Sequence, residues 1–233
     1  MDWARQCTGV IPCFNEAGCI AEVVRGIQLH LPAVIVVDDG STDATAVNAA
    51  AAGAEVLRQP ANRGKGAALH AGWQRAQARG FAWALTMDGD GQHAPDDIPA
   101  FFDCAEETGA SLVIGNRMGQ EGSMPWLRRQ ANRWMTRCLS NLAGITLADS
   151  QCGFRLLDLE AWSHLELATS RFEIESELLV AFLAAQRRVE FVSVQVIYRK
   201  QLSKIHPVVD SWRWFRWWLA QRKVARPERR EKN

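Results

Sequence analysis

From Thr8 to Ile114 the chain repeats one pattern: a short apolar run rich in β-formers, then a stretch with helical spacing, then another short run. Thr8 to Phe14, Ala33 to Val37, Glu55 to Leu57, Phe81 to Met87 and Ser111 to Ile114 read as strands. Between them, Ala17 to His30, Thr42 to Ala52, Gly66 to Arg79 and Asp96 to Glu107 read as helices. This alternation predicts an α/β fold with a mostly parallel central sheet flanked by helices. The second half is less regular: a helix from about Pro125 to Ala143, a loop at Asp149 to Gly153, a helix near Ile174 to Ala185 and a strand near Val189 to Tyr198. At 233 residues the chain suits one domain spanning 1–233, since single cores commonly reach this size.

In sheets of this kind ligands bind beyond the carboxyl ends of the strands. Three polar clusters follow predicted strands: Asn15-Glu16, Asp38-Asp39-Gly40-Ser41, and Asp88-Gly89-Asp90-Gly91-Gln92-His93. They are expected to meet at one edge. In the third cluster Asp88 and Asp90 repel unless a cation lies between them, and oxygen ligands, including the Gln92 amide, select a hard ion such as Mg²⁺ or Mn²⁺. Gly89 and Gly91 would let the backbone approach phosphates. Asp-Gly pairs are also ordinary turn formers, so the triplet alone does not decide the matter. Asp39 at the end of the second strand can accept a hydrogen bond from a nucleobase N–H, or belong to a helix start capped by Ser41 or Thr42.

Net charge is +1 overall, yet residues 212 to 233 carry eight Lys or Arg against Glu228 and Glu231, which leaves a mildly acidic body. A basic tail on an acidic body points to an anionic partner for the tail alone, and offers no broad basic surface for nucleic acid. Six cysteines, at 7, 13, 19, 104, 138 and 152, form no CxxC pair and lie near no histidine at zinc-ligand spacing, so reduced thiols are expected. Neither a signal peptide pattern nor an apolar run long enough to span a bilayer is seen, which predicts a cytoplasmic or peripheral membrane protein.

Taken in order, Pro12-Cys13-Phe14-Asn15-Glu16, Asp38-Asp39-Gly40-Ser41, Asn62-Arg63-Gly64-Lys65-Gly66, Asp88-Gly89-Asp90-Gly91-Gln92-His93 and Gly115-Asn116-Arg117 make the chain resemble the family-2 glycosyltransferases of GT-A fold. Within them it is most similar to the polyprenyl-phosphate sugar synthases, such as the dolichyl-phosphate mannose and glucose synthases. The resemblance implies inverting transfer of a hexose from a UDP- or GDP-linked donor to a membrane-associated acceptor, polyprenyl phosphate. It implies that Pro12, Glu16, Asp39, Lys65 and Asp88 hold the donor, and that Asp88, Asp90 and Gln92 hold Mg²⁺ or Mn²⁺. Asp90, Arg117 and Glu175 are the implied catalytic residues. Arg117, with Arg128 or Arg129, faces the acceptor, and Asp149 to Arg155 shapes the site near the sugar.

Chemistry makes sense of these roles. A divalent ion neutralises charge that develops on a nucleoside diphosphate leaving group. A lipid phosphate is already an anion and needs no base; it needs positive charge, for which Arg117, Arg128, Arg129, Arg133 and Arg155 are candidates. A hydroxyl acceptor would need one, and Glu175 would serve. Glu173 and Glu177 share a helical face and suit the first turn of a helix. Tyr198 to Lys200 and Ser203 to Pro207 are expected to close over the diphosphate, with His206 a further ligand.

Residues 208–224 form an amphipathic pattern, with Trp212, Trp214, Phe215, Trp218 and Leu219 on one half and Arg213 and Arg216 on the other, followed by a basic tail at 225–233. Such a helix either packs on the domain or lies in a membrane interface. Its tryptophans and basic flank favour the interface. Two other functions compete with transfer. A sugar nucleotidyltransferase would carry a glycine-rich basic loop where Pro12 to Glu16 stands, and a non-catalytic nucleotide-binding protein would retain nucleotide without turnover.

Overall fold

The computed structural model describes residues 1–119, 126–197 and 207–230. Its strands are β1 (Cys7–Cys13), β2 (Val34–Asp38), β3 (Glu55–Arg58), β4 (Trp83–Thr86), β5 (Leu112–Asn116), β6 (Arg155–Asp158) and β7 (Val189–Ser193). They form a single seven-stranded sheet in the order β3-β2-β1-β4-β6-β5-β7. All pairings are parallel except those of β6, which runs antiparallel between β4 and β5. The helices are α1 (Trp3–Gln6), α2 (Ile20–Gln28), α3 (Thr45–Ala51), α4 (Lys65–Ala78), α5 (Ile98–Thr108), α6 (Trp126–Ala143), α7 (Leu159–Ser163), α8 (Ile174–Ala184) and α9 (Pro207–Arg230).

Every residue of β1 and β2 is buried, as a strand covered by helices on both faces requires. Helix α4 lies close on this pair, because Gly72 presents no side chain: a Cβ there would come within 2.4 Å of Val10 Cγ1. At the next position of α4, buried Trp73 satisfies its indole N–H on Thr86 Oγ1 at 3.1 Å. A tryptophan can be fully buried only when that donor finds an acceptor.

Three expectations change. Strand β6 was not anticipated, because Arg155-Leu156-Leu157-Asp158 is too short for a periodicity to declare itself. Helix α3 begins at Thr45, and neither Ser41 nor Thr42 caps it. Ser41 Oγ instead accepts the Asn15 N–H at 2.8 Å, and Thr42 N–H donates to Asn15 Oδ1 at 2.9 Å. Those bonds hold the turn after β1, where Asn15 has a φ of 54°, a conformation asparagine tolerates better than most residues.

The third change concerns α9. Trp214 is 3% exposed, and its indole donates to Ser176 Oγ on α8 at 2.8 Å. Trp134 of α6 packs on Trp214, Phe215 and Trp218. Trp214 therefore belongs to the core and not to an interfacial face, while Trp212 stays 58% exposed.

Candidate active site

The strand order reverses at β1, which has β2 on one side and β4 on the other. A crevice opens at such a switch point, beyond the carboxyl ends of the strands. The predicted clusters gather there. Gly89 sits against the end of β1, where a Cβ would lie 3.1 Å from that of Cys13 and 3.5 Å from Glu16 Cγ. Glu16 is fixed through its own N–H, which donates to Thr45 Oγ1 at 2.8 Å. Pro12 pairs with Val37 inside the sheet.

Asp39 is 3% exposed and accepts the backbone N–H groups of Arg63 at 2.7 Å and Gly64 at 2.8 Å, one on each carboxylate oxygen. It ties the loop before α4 to the end of β2. Gly64 needs a φ of 100° there, and a Cβ would meet Ser170 O at 2.6 Å, so a side chain is excluded twice over.

Lys65 opens α4, with a side chain only 12% exposed. Its ammonium lies 2.5 Å from Asp88 Oδ1 and 2.5 Å from Glu175 Oε1 on α8. Burial opposes the charge on Lys65, but Asp88 and Glu175 outweigh it and hold its pKa above the ordinary lysine value. For Asp88, burial acts upward, and Lys65 and then His93 reverse it, so the carboxyl stays far below the usual range. Asp90 behaves oppositely: burial and then the charge of Asp88 raise its pKa. Among the described residues Asp88 is ion-paired with a cation, and Asp90 has none at ion-pair distance.

Asp88, Asp90, Gln92, His93, Arg117, Arg128 and Val196 line one small cleft. Arg117 is buried and forks Asp149, with Nε to Oδ2 at 2.8 Å and Nη2 to Oδ1 at 3.0 Å. His93 rests on the Phe154 ring, its Nε2 3.7 Å from Asp88 Oδ2 and its buried Nδ1 without a partner among the described residues. Glu177 is turned away from the cleft, accepting Ala168 N–H at 3.1 Å, Thr169 N–H at 2.9 Å and the Thr169 hydroxyl at 2.6 Å.

Arg155 departs from expectation. Its guanidinium donates to three carbonyls, those of Cys152 at 2.7 Å, Glu175 at 2.6 Å and Ser150 at 3.0 Å, and the residue is 2% exposed. It shapes the 150–155 loop and has no face left for a phosphate. Arg133 is exposed. Tyr198 to Lys200 and Ser203 to His206 lie outside the described residues. Sequence reasoning overlooked Asp149 as the partner of Arg117; its one signal was an acid set between apolar Leu147 and Cys152.

The donor chemistry fits a hard cation: two carboxylates and an amide oxygen, with Asp90 destabilised as an anion in its present surroundings. Among the described residues no group of three or more His, Cys, Asp or Glu is placed to hold an ion alone. Oxygens from a diphosphate would have to complete the shell.

Several known proteins share this architecture. A crystal structure of glucosyl-3-phosphoglycerate synthase from Mycobacterium tuberculosis, in complex with Mn²⁺, UDP and phosphoglyceric acid, superposes with a TM-score of 0.74 at 21% identity, covering 95% of this chain and 78% of that one. The likeness is one of GT-A fold. In sequence, UDP-N-acetylglucosamine–dolichyl-phosphate N-acetylglucosaminyltransferase of Methanococcus voltae is 29% identical over 212 residues, covering 81% of this chain and 84% of that protein. Polyprenol monophosphomannose synthase of Mycolicibacterium smegmatis is 31% identical over 170 residues, or 68% and 64% of the two chains. The profile described as Glycosyl transferase family 2 matches residues 8–164. Because that match runs through β1, β2, β4 and β6, across the switch point where the clusters converge, the chain belongs to glycosyl transferase family 2.

Proposed function

We propose that the protein is an inverting, metal-dependent hexosyltransferase that moves a sugar from a UDP- or GDP-linked donor to polyprenyl phosphate at a membrane surface. The observation that carries this reading is the cleft in which Asp88, Asp90 and Gln92 face Arg117 and Arg128. Acids that suit a cation stand beside guanidinium groups that suit a phosphate. In this reading Pro12, Glu16 and Asp39 hold the nucleoside, and Lys65 lies at the diphosphate. Asp88, Asp90 and Gln92 would hold Mg²⁺ or Mn²⁺, which when bound supplies Lewis-acid neutralisation of the leaving diphosphate.

Arg117 and Arg128 orient the acceptor phosphate on the opposite side of the anomeric carbon. Its oxygen attacks as an anion, the bond to the diphosphate breaks, and the configuration inverts. No proton has to be removed. Glu175, paired with Lys65, would act as a base only for a hydroxyl acceptor. Names among the relatives support the lipid phosphate; the phosphoglyceric acid in the structural neighbour is the soluble alternative.

Membrane attachment is supported by exposed apolar side chains on two adjacent helices: Trp126 and Leu127 on α6, 62% and 75% exposed, and Trp212 on α9. Arg128, between the α6 side chains and the cleft, joins that surface to the site. Among the described residues no helix is long and apolar enough to cross a membrane. The deciding experiment supplies Mn²⁺ and a panel of sugar nucleotides and measures nucleotide release with polyprenyl phosphate or with phosphoglycerate. Stimulation by the lipid alone is expected, and stimulation by phosphoglycerate alone would overturn the acceptor assignment. Trp126→Ala combined with Trp212→Ala should lower co-sedimentation with anionic vesicles.

A further inference from the structure

The position of Lys65 is not explained by helix stability. It is the first residue of α4, where the helix dipole disfavours a positive charge. The fold nonetheless fixes it there. Gly66 lets α4 lie against the backbone of Thr169 and Ser170, Ala67 N–H donates to Ser170 O at 3.0 Å, and Glu177 holds Ala168 and Thr169 from the other side. The space about the ammonium is closed by Gly153, where a Cβ would stand 2.8 Å from Lys65 Nζ and 2.6 Å from Asp88 Oδ2. Within this enclosure Lys65 bridges Asp88 and Glu175, while Asp90, two residues beyond Asp88, accepts the Gln92 N–H at 3.0 Å and, among the described residues, no other hydrogen bond.

We infer that Lys65 is a resident cation that occupies the Asp88 carboxylate while the donor site is empty, so that a divalent ion is taken up together with the nucleotide diphosphate and not before it. This rests on the reading of Asp88 and Asp90 as the metal-holding pair. A divalent ion approaching Asp88 meets the positive charge of Lys65 a few ångströms away in a poorly solvated site; Glu175 is engaged by that same ammonium, and among the described residues no group of three or more His, Cys, Asp or Glu is placed to hold the ion. A diphosphate supplies the missing negative charge and further oxygens. It also offers Lys65 another anion, which releases Asp88 Oδ1 to the metal. Lys65 thus acts as a positioning residue that couples two binding events.

The test is a Mn²⁺ titration of the full chain followed by the EPR signal of the free ion, without nucleotide and with UDP or GDP. In wild type, affinity should be weak alone and strengthen sharply with one of the nucleotides. Lys65→Met should raise the nucleotide-free affinity roughly tenfold or more, since it removes a like charge at short range, and should shrink the gain that the nucleotide brings. Lys65→Arg, which keeps the charge, should stay near wild type. Because Lys65→Met leaves two carboxylates facing each other, Lys65→Met with Glu175→Gln is measured beside it and should show the same gain. Unchanged nucleotide-free affinity in both Met variants, with tight Mn²⁺ binding in the presence of nucleotide, would overturn the role of Lys65 alone. Absence of Mn²⁺ binding to wild type with either nucleotide would overturn the metal reading beneath it.

Discussion

Replacing Arg155 with methionine separates two accounts of a cation in the sugar-proximal loop. The guanidinium donates to the carbonyls of Ser150, Cys152 and Glu175, thereby tying the start of β6 to the 150–153 loop and to the start of α8. Methionine preserves most of the stem but removes all three bonds. A hydrogen bond to a charged group contributes about 1.5–3 kcal/mol. The low end applies, because burial pushes the Arg155 pKa below its ordinary value, so part of the gain already offsets desolvation. The expected loss is about 4–5 kcal/mol, a large share of a stability that is ordinarily about 5–15 kcal/mol. For a chain of this size each kcal/mol shifts Tm by about 2–4 °C, which gives a fall on the order of 10–20 °C. Urea unfolding followed by tryptophan fluorescence measures it. A variant with the wild-type midpoint and a raised acceptor KM would refute the structural account and return Arg155 to the phosphate.

Asp90→Asn should abolish transfer with little change in Tm, since it removes a carboxylate that burial and Asp88 already disfavour; EDTA should reproduce the loss, and full activity in chelator would refute metal dependence. Asp39→Ala should raise the donor KM more than it lowers kcat, and should also destabilise the fold by about 1–3 kcal/mol because the Arg63 and Gly64 N–H groups lose their acceptor. Burial raises the Asp149 pKa and Arg117 more than reverses it, so the folded value lies below the unfolded one. The pair's contribution is therefore complete above about pH 4 and is lost as pH falls through the folded value. In urea titrations the gap between wild type and Asp149→Asn should be widest at pH 7 and should close in acid.

The strands and the three clusters were legible because each is a local signal: a continuous apolar run followed by turn-forming acids. Sequence order then fixed where they would converge, since parallel strands all end on one side of the sheet. What could not be read was which charge meets which. Lys65 and Glu175 stand 110 residues apart, and nothing near either names the other. Arg117 and Asp149 pose the same problem. Arg155 was misread because a cation in a motif looks the same whether it faces a phosphate or three backbone carbonyls; only the closing of the loop around it distinguishes them.

Helix α9 illustrates the limit from another side. A helical wheel groups Trp212, Trp214, Phe215, Trp218 and Leu219 on one half, but it is silent on what covers that half. Here the cover is divided. Ser176 and Trp134 take Trp214, and Trp218 packs partly on the core, while Trp212 and Leu219 remain exposed, as do Trp126 and Leu127 of α6. Deleting α9 whole would therefore remove core and surface together, so a loss of activity would say nothing about membranes. Substituting Trp126 and Trp212, which leaves Trp214 on Ser176, isolates the surface. If that pair stays folded and sediments with anionic vesicles as well as wild type does, the exposed face of α6 and α9 is not what meets the lipid.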